Sequence, residues 1–102
     1  MEKSITKFSF RDEKNEKGTF LEYITQDDDQ IQYNEYFTSK ELNMIYDTII
    51  TIPKKNLDPF NFEVFVEYIK NCKEDRLSNF LKFLKDNNIQ FEEENWDKPF
   101  DE

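Results

Sequence analysis

The sequence predicts an α+β domain: an N-terminal three-stranded antiparallel meander, then two or three helices packed on one face, with a short fourth strand over 89–92. Two patterns carry that expectation. Apolar and polar residues alternate through 5–37, which suits half-buried strands, and from residue 42 onward the apolar positions recur at helical spacing. At 102 residues one domain is expected, with a core that needs neither metal nor disulfide.

In the first candidate strand Phe8 and Phe10 alternate with polar neighbours. Thr19 to Thr25 carries Phe20, Leu21, Tyr23 and Ile24 for the second, and Ile31 and Tyr33 alternate with Gln and Asn in the third. Arg11 to Gly18 and Gln26 to Gln30 read as the connections of a meander. Gly18, the sole glycine, supplies a positive φ before the second strand.

A helix is predicted next. Thr38 serves as N-cap, Glu41 completes a capping box, and Phe37 and Leu42 form a hydrophobic staple. Leu42, Ile45, Tyr46 and Ile49 follow on one face, and Pro53 ends the helix before Ile52. Asp58 and Pro59 read as a second start, followed by Phe62, Phe65, Val66 and Ile69. Leu77, Phe80, Leu81 and Leu84 repeat the spacing until Asp86-Asn87-Asn88, residues that tolerate the left-handed conformation of a helix end. The polar run Asn71 to Asp75 interrupts the stripe, which favours a break between two helices, with one bent helix as the alternative. Ile89-Gln90-Phe91 then leads into the last strand.

Composition narrows the classes of function. Twenty-three acidic residues against fourteen basic ones, without histidine, give a formal charge of −9. That balance points to a basic partner and away from nucleic acid or an anionic membrane. The charged fraction of 36% is offset by 17% aromatic residues, more than disordered chains carry. Cys72 stands alone and excludes an intramolecular disulfide. Met1 to Ser4 lead into no apolar signal segment, and the longest apolar candidate, Met44 to Ile52, is too short and too polar to span a bilayer, so the cytosol is the expected location.

Chemistry-bearing motifs are sparse. From Asp27 the calcium-loop spacing would require Gly and Glu where Gln32 and Thr38 stand, and zinc lacks ligands without histidine. Nucleophilic pairs with histidine are impossible, and glycine-rich phosphate loops cannot be built from one glycine. Paired carboxylates are all that an enzyme could use; a cavity lined by carboxylates of raised pKa would be their signature. Cys72, flanked by Lys70 and Lys73 but also by Glu74 and Asp75, reads as a small residue at a helix end. No catalytic residue, cofactor or metal is therefore assigned.

Two acidic segments are the candidate partner-binding residues: Asp27, Asp28 and Asp29, and the C-terminal 92–102 with Glu92, Glu93, Glu94, Asp97, Asp101 and Glu102 against Lys98. Trp96, Phe91 and Phe100, with Pro99, interleave aromatic and apolar anchors among those charges. Carboxylates so spaced can occupy the phosphate sites of a basic protein; the plainer reading is a frayed, solvated tail with Trp96 folded back on the core. Tyr36, Tyr46, Phe60, Tyr68 and Phe83 fall on the flanks of the apolar stripes, where they would suit a partner or a homodimer. The leading functional expectation is a small acidic inhibitor of a basic protein, of the toxin-immunity, antitoxin or anti-CRISPR kind, such as an inhibitor of a nuclease. The alternative is a non-catalytic adaptor subunit of a larger assembly.

Overall fold

The computed structural model describes residues 5–57 and 60–99. Four strands come first: β1 (Thr6–Asn15), β2 (Gly18–Gln26), β3 (Gln30–Ser39) and β4 (Met44–Pro53). A 3₁₀ turn over Lys54–Asn56 leads to α1 (Phe62–Lys70) and α2 (Arg76–Asp86), and the chain returns as β5 (Glu92–Pro99). All five strands form one antiparallel sheet in the order β1-β2-β3-β4-β5.

The largest correction concerns residues 38–52, which form a turn and a strand, not a helix. Thr38 lies in β3, where its Oγ1 accepts from the Thr19 amide at 2.9 Å and thereby ties β3 to β2. Ser39 Oγ accepts from the Leu42 amide at 3.1 Å, and Asn43 takes φ 53°, so the polar groups that resemble a cap close a β-hairpin turn. Beyond it Ile45, Thr48, Ile49, Ile50, Thr51 and Ile52 are β-branched; they favour the pleated sheet over the crowded helix. The fold is thus a five-stranded sheet with two helices rather than three strands with two or three helices.

Smaller corrections follow from pairing. Arg11 to Asn15 extend β1, leaving only Glu16 and Lys17 as the hairpin loop between Asn15 and Gly18. Gly18 sits at φ +152°, and a Cβ there would collide with the Thr38 carbonyl oxygen. The expected strand over 89–92 is displaced: Asn88 adopts φ 55°, the Ile89 amide closes on the Leu84 carbonyl at 2.9 Å, and pairing begins only at Glu92. The Asp58-Pro59 helix start lies outside the described residues; α1 is capped by Asn61, whose Oδ1 accepts from the Val64 amide at 3.0 Å. Residues 71–75 separate α1 from α2, the place where the apolar stripe breaks.

Register sorts the side chains between two faces. Ile24, Tyr33 and Ile50 lie side by side across β2, β3 and β4, as do Ile31 and Ile52, and all five are fully buried. Phe62, Phe65, Val66 and Ile69 of α1 and Phe80 and Leu84 of α2 complete this core. Tyr33 meets Phe80 at 5.4 Å between ring centroids, and Phe80 meets Phe65 edge-on at 5.5 Å. Truncating Phe65 or Phe80 to Ala would cost about 3–5 kcal/mol. The opposite face carries Leu21, Tyr23, Tyr36, Ile45 and Ile49, half-buried and without a covering helix.

Candidate functional site

β5 is the outermost strand of the sheet, and every residue from Glu92 to Pro99 is exposed. Its alternation puts Glu92, Glu94, Trp96 and Lys98 on the helix-free face and Glu93, Asn95, Asp97 and Pro99 on the helix side, because Ile50 of the core face pairs with Glu93. Both rims of this edge therefore carry carboxylates. Asn95 steadies it: its Oδ1 accepts from Thr48 Oγ1 at 2.8 Å and its Nδ2 donates to Glu93 Oε2 at 2.6 Å. Trp96, 44% exposed, lies opposite Asp47 with the Lys98 ammonium 5.8 Å from its ring centre, and does not fold back onto the core.

Asp27, Asp28 and Asp29 occupy the β2–β3 turn instead. Asp27 Oδ1 accepts from the amides of Asp29 (2.8 Å) and Gln30 (3.0 Å), which makes it a turn-forming residue. Lys54 donates from Nζ to the Asp27 carbonyl and from its amide to the Asp29 carbonyl, both at 3.0 Å, so a cation lies against this turn. Trp96 aligns through Asp47 and Tyr36 with Leu21, six residues before Asp27, a separation of about 20 Å along the strands. Glu92, Glu93, Glu94, Trp96 and Asp97 thus form one edge. Glu92, whose row runs through Thr51 and Gln32 to Thr25, lies at the end of β5 toward Asp27 to Asp29, with β4 and β3 between them, and Trp96 lies farther off. Asp101 lies outside the described residues.

The flank aromatics divide as well. Phe60, Tyr68 and Phe83 pack against the core, with Tyr68 and Phe83 rings 4.3 Å apart. Tyr36 faces the helix-free side, and Tyr46, 40% exposed, continues a row with Phe37 and Phe20 on the helix side beyond the helices.

A second cluster escaped the sequence reading. Glu22, 3% exposed, accepts from Tyr33 Oη at 2.8 Å and from Arg76 Nη1 at 3.1 Å, with Arg11 Nε at 3.8 Å. Directly opposite on β3 stands Glu35, half-buried, whose carboxyl is pushed up by burial and by Glu22 and pulled back by Arg11. Arg11, Glu22 and Glu35 line a cleft of about 310 Å³ with residues 73–76. Two carboxylates in a cleft invite comparison with hydrolase pairs, but both Glu22 oxygens are engaged and hidden from an incoming substrate. The cluster ties α2 to the sheet. Its one sequence signal is the alternation Phe20-Glu22-Ile24, which sets a carboxylate on the core face.

Among the described residues no three metal-binding side chains converge, and no helix is long and apolar enough to cross a membrane. Comparison with protein-family models, with curated proteins and with solved structures finds no match to this chain.

Proposed function

We propose that this protein binds and neutralises a basic protein through the β5 edge. The partner is of the kind that presents Arg and Lys to phosphate: a nuclease, a toxin or another nucleic-acid-binding enzyme. The observation that carries this reading is the edge itself, an eight-residue exposed strand with Glu92, Glu93, Glu94 and Asp97 on both rims and Trp96 among them. Carboxylates held on a paired strand lose less side-chain and backbone entropy on docking than those of a mobile tail, and an exposed Trp is the residue type most enriched at energetic centres of interfaces. A net charge of −9 adds long-range attraction for a basic surface. The chemistry of the reading is steric and electrostatic, without catalysis, and its expected setting is the cytosol.

The test is capture from lysate of the source organism at low salt. A stoichiometric basic protein that is lost by the quadruple variant E92Q/E93Q/E94Q/D97N supports the reading, and a partner retained equally by that variant overturns it.

An adaptor role is favoured by a different observation, the uncovered Leu21, Tyr23, Tyr36, Ile45 and Ile49 on the helix-free face. Association would then resist salt and depend on Tyr36 and Ile49 rather than on the carboxylates.

A further inference from the structure

We infer that the open edge of β5 is a template for strand addition, and that the segment it takes is an extended, basic stretch of the partner. The inference rests on the basic-partner reading and adds the mode of recognition. β5 is hydrogen-bonded on one side to β4, so alternate backbone N–H and C=O groups along it point outward. Its register is unbroken from Thr51↔Glu92 to Met44↔Pro99, which leaves a regular outer edge over eight residues. Proline, which cannot donate, comes only at the end.

The other edge of the sheet is built differently. β1 is interrupted by an irregularity between Ser9 and Arg11, and it mixes signs through Arg11, Asp12, Glu13 and Lys14. Bulges and charged side chains are common devices that keep an edge from pairing; β1 has both, whereas β5 has charge without a bulge. β5 has no register shift, and its four carboxylates outweigh the single Lys98, which disfavours an acidic strand and complements a basic one.

Residues facing each other across a new pair of strands would sit about 4.5–5.5 Å apart at Cβ. An incoming strand that places Lys or Arg opposite Glu92, Glu93 and Glu94 therefore meets a carboxylate on each rim, and an aliphatic residue opposite Trp96 gains apolar contact. A second copy of this chain pairing antiparallel over the whole edge would set Glu94 against Asp97 twice, with Glu93 against Lys98, and would bring together two chains of net charge −9, which favours a different, basic chain as the occupant. Backbone pairing supplies affinity and the alternating side chains supply selectivity, the division of labour found in strand-addition complexes.

The probe is a synthetic peptide of about nine residues, alternating valine and threonine followed by three consecutive lysines, the order by which an antiparallel strand sets lysine against Glu94, Glu93 and Glu92 and valine against Trp96. Two further versions carry N-methyl groups on alternate amides, one version for each edge of the peptide. Trp96, the only tryptophan, reports binding by fluorescence at low ionic strength. Strand addition requires that one methylated version bind at least tenfold more weakly than the parent while the other stays within about threefold. Equal binding of all three overturns the inference and leaves the electrostatic reading standing. Absence of binding by the parent peptide also overturns it, and the basic-partner reading then stands or falls on the capture experiment alone.

Discussion

Tyr33 donates its phenolic hydrogen to Glu22 Oε2 across 2.8 Å although the two residues are not register partners: Tyr33 faces Ile24, and Glu22 faces Glu35. The diagonal reach puts a hydroxyl from the fully buried core against a carboxylate whose other oxygen holds Arg76, the first residue of α2. Core, sheet and helix thus meet at one carboxylate. Tyr33→Phe removes the donor without changing shape and is expected to cost about 1–3 kcal/mol, because a buried acceptor is left with one partner fewer. Glu22→Ala should cost about 3–5 kcal/mol by stranding Arg76. Urea unfolding monitored at Trp96 measures both.

Stability should depend on Glu35 in a defined direction. Burial and Glu22 raise its carboxyl above the ordinary 4.5, so the folded protein retains a proton that the unfolded chain has released. Stability therefore falls as pH rises from 4.5 through the folded value, and the loss persists above it. Glu35→Gln should be more stable than the parent at pH 7 and should flatten that part of the profile. Asp47, also raised by burial, keeps its own share of the slope. A Glu35→Gln variant less stable than the parent at pH 7 would contradict the assignment.

Gly18 is fixed by backbone approach. Its φ of +152° and the Thr38 carbonyl against its Cα leave no room for a methyl group. Gly18→Ala is expected to lower stability by about 1–3 kcal/mol and to loosen the β2–β3 pairing nearest the Glu16-Lys17 turn. Amide exchange at Thr19, bonded to Thr38 Oγ1 at 2.9 Å, is the local readout.

Asn43 distinguishes the hairpin from the helix that the capping pattern suggests. At φ 53° a glycine is tolerated and a β-branched residue is not. Asn43→Gly should leave the melting temperature within a few degrees of the parent, whereas Asn43→Val should destabilise by about 1–2 kcal/mol. In a helix interior the order would be reversed, glycine being the poorer choice.

For the proposed interface, E92Q/E93Q/E94Q/D97N should slow association with the captured partner by about tenfold or more at low salt and flatten its salt dependence. Trp96→Ala should act on dissociation and cost about 2 kcal/mol or more. Stopped-flow or surface kinetics at two salt concentrations separates these effects.

What the sequence determined by itself was local. Phe62, Phe65, Val66 and Ile69 mark the buried stripe of α1, Phe80 and Leu84 mark that of α2, and both are read from spacing within one element. The alternation around Tyr33 likewise marks a strand, because burial on one face is a period-two pattern. Tertiary structure decided the rest. Thr38, Ser39 and Glu41 satisfy a helix-capping pattern and a hairpin equally well; the choice fell to β4, whose β-branched side chains pair with β3 on one side and β5 on the other. β5 has no periodic signal, because neither of its faces is buried, and it is a strand because the edge of β4 pairs with it. Glu22 and Arg76, 54 residues apart, meet only once α2 has packed across the sheet. Periodicity is written into neighbouring residues, whereas pairing depends on which distant backbone comes to lie alongside, and that is settled only when the whole chain folds.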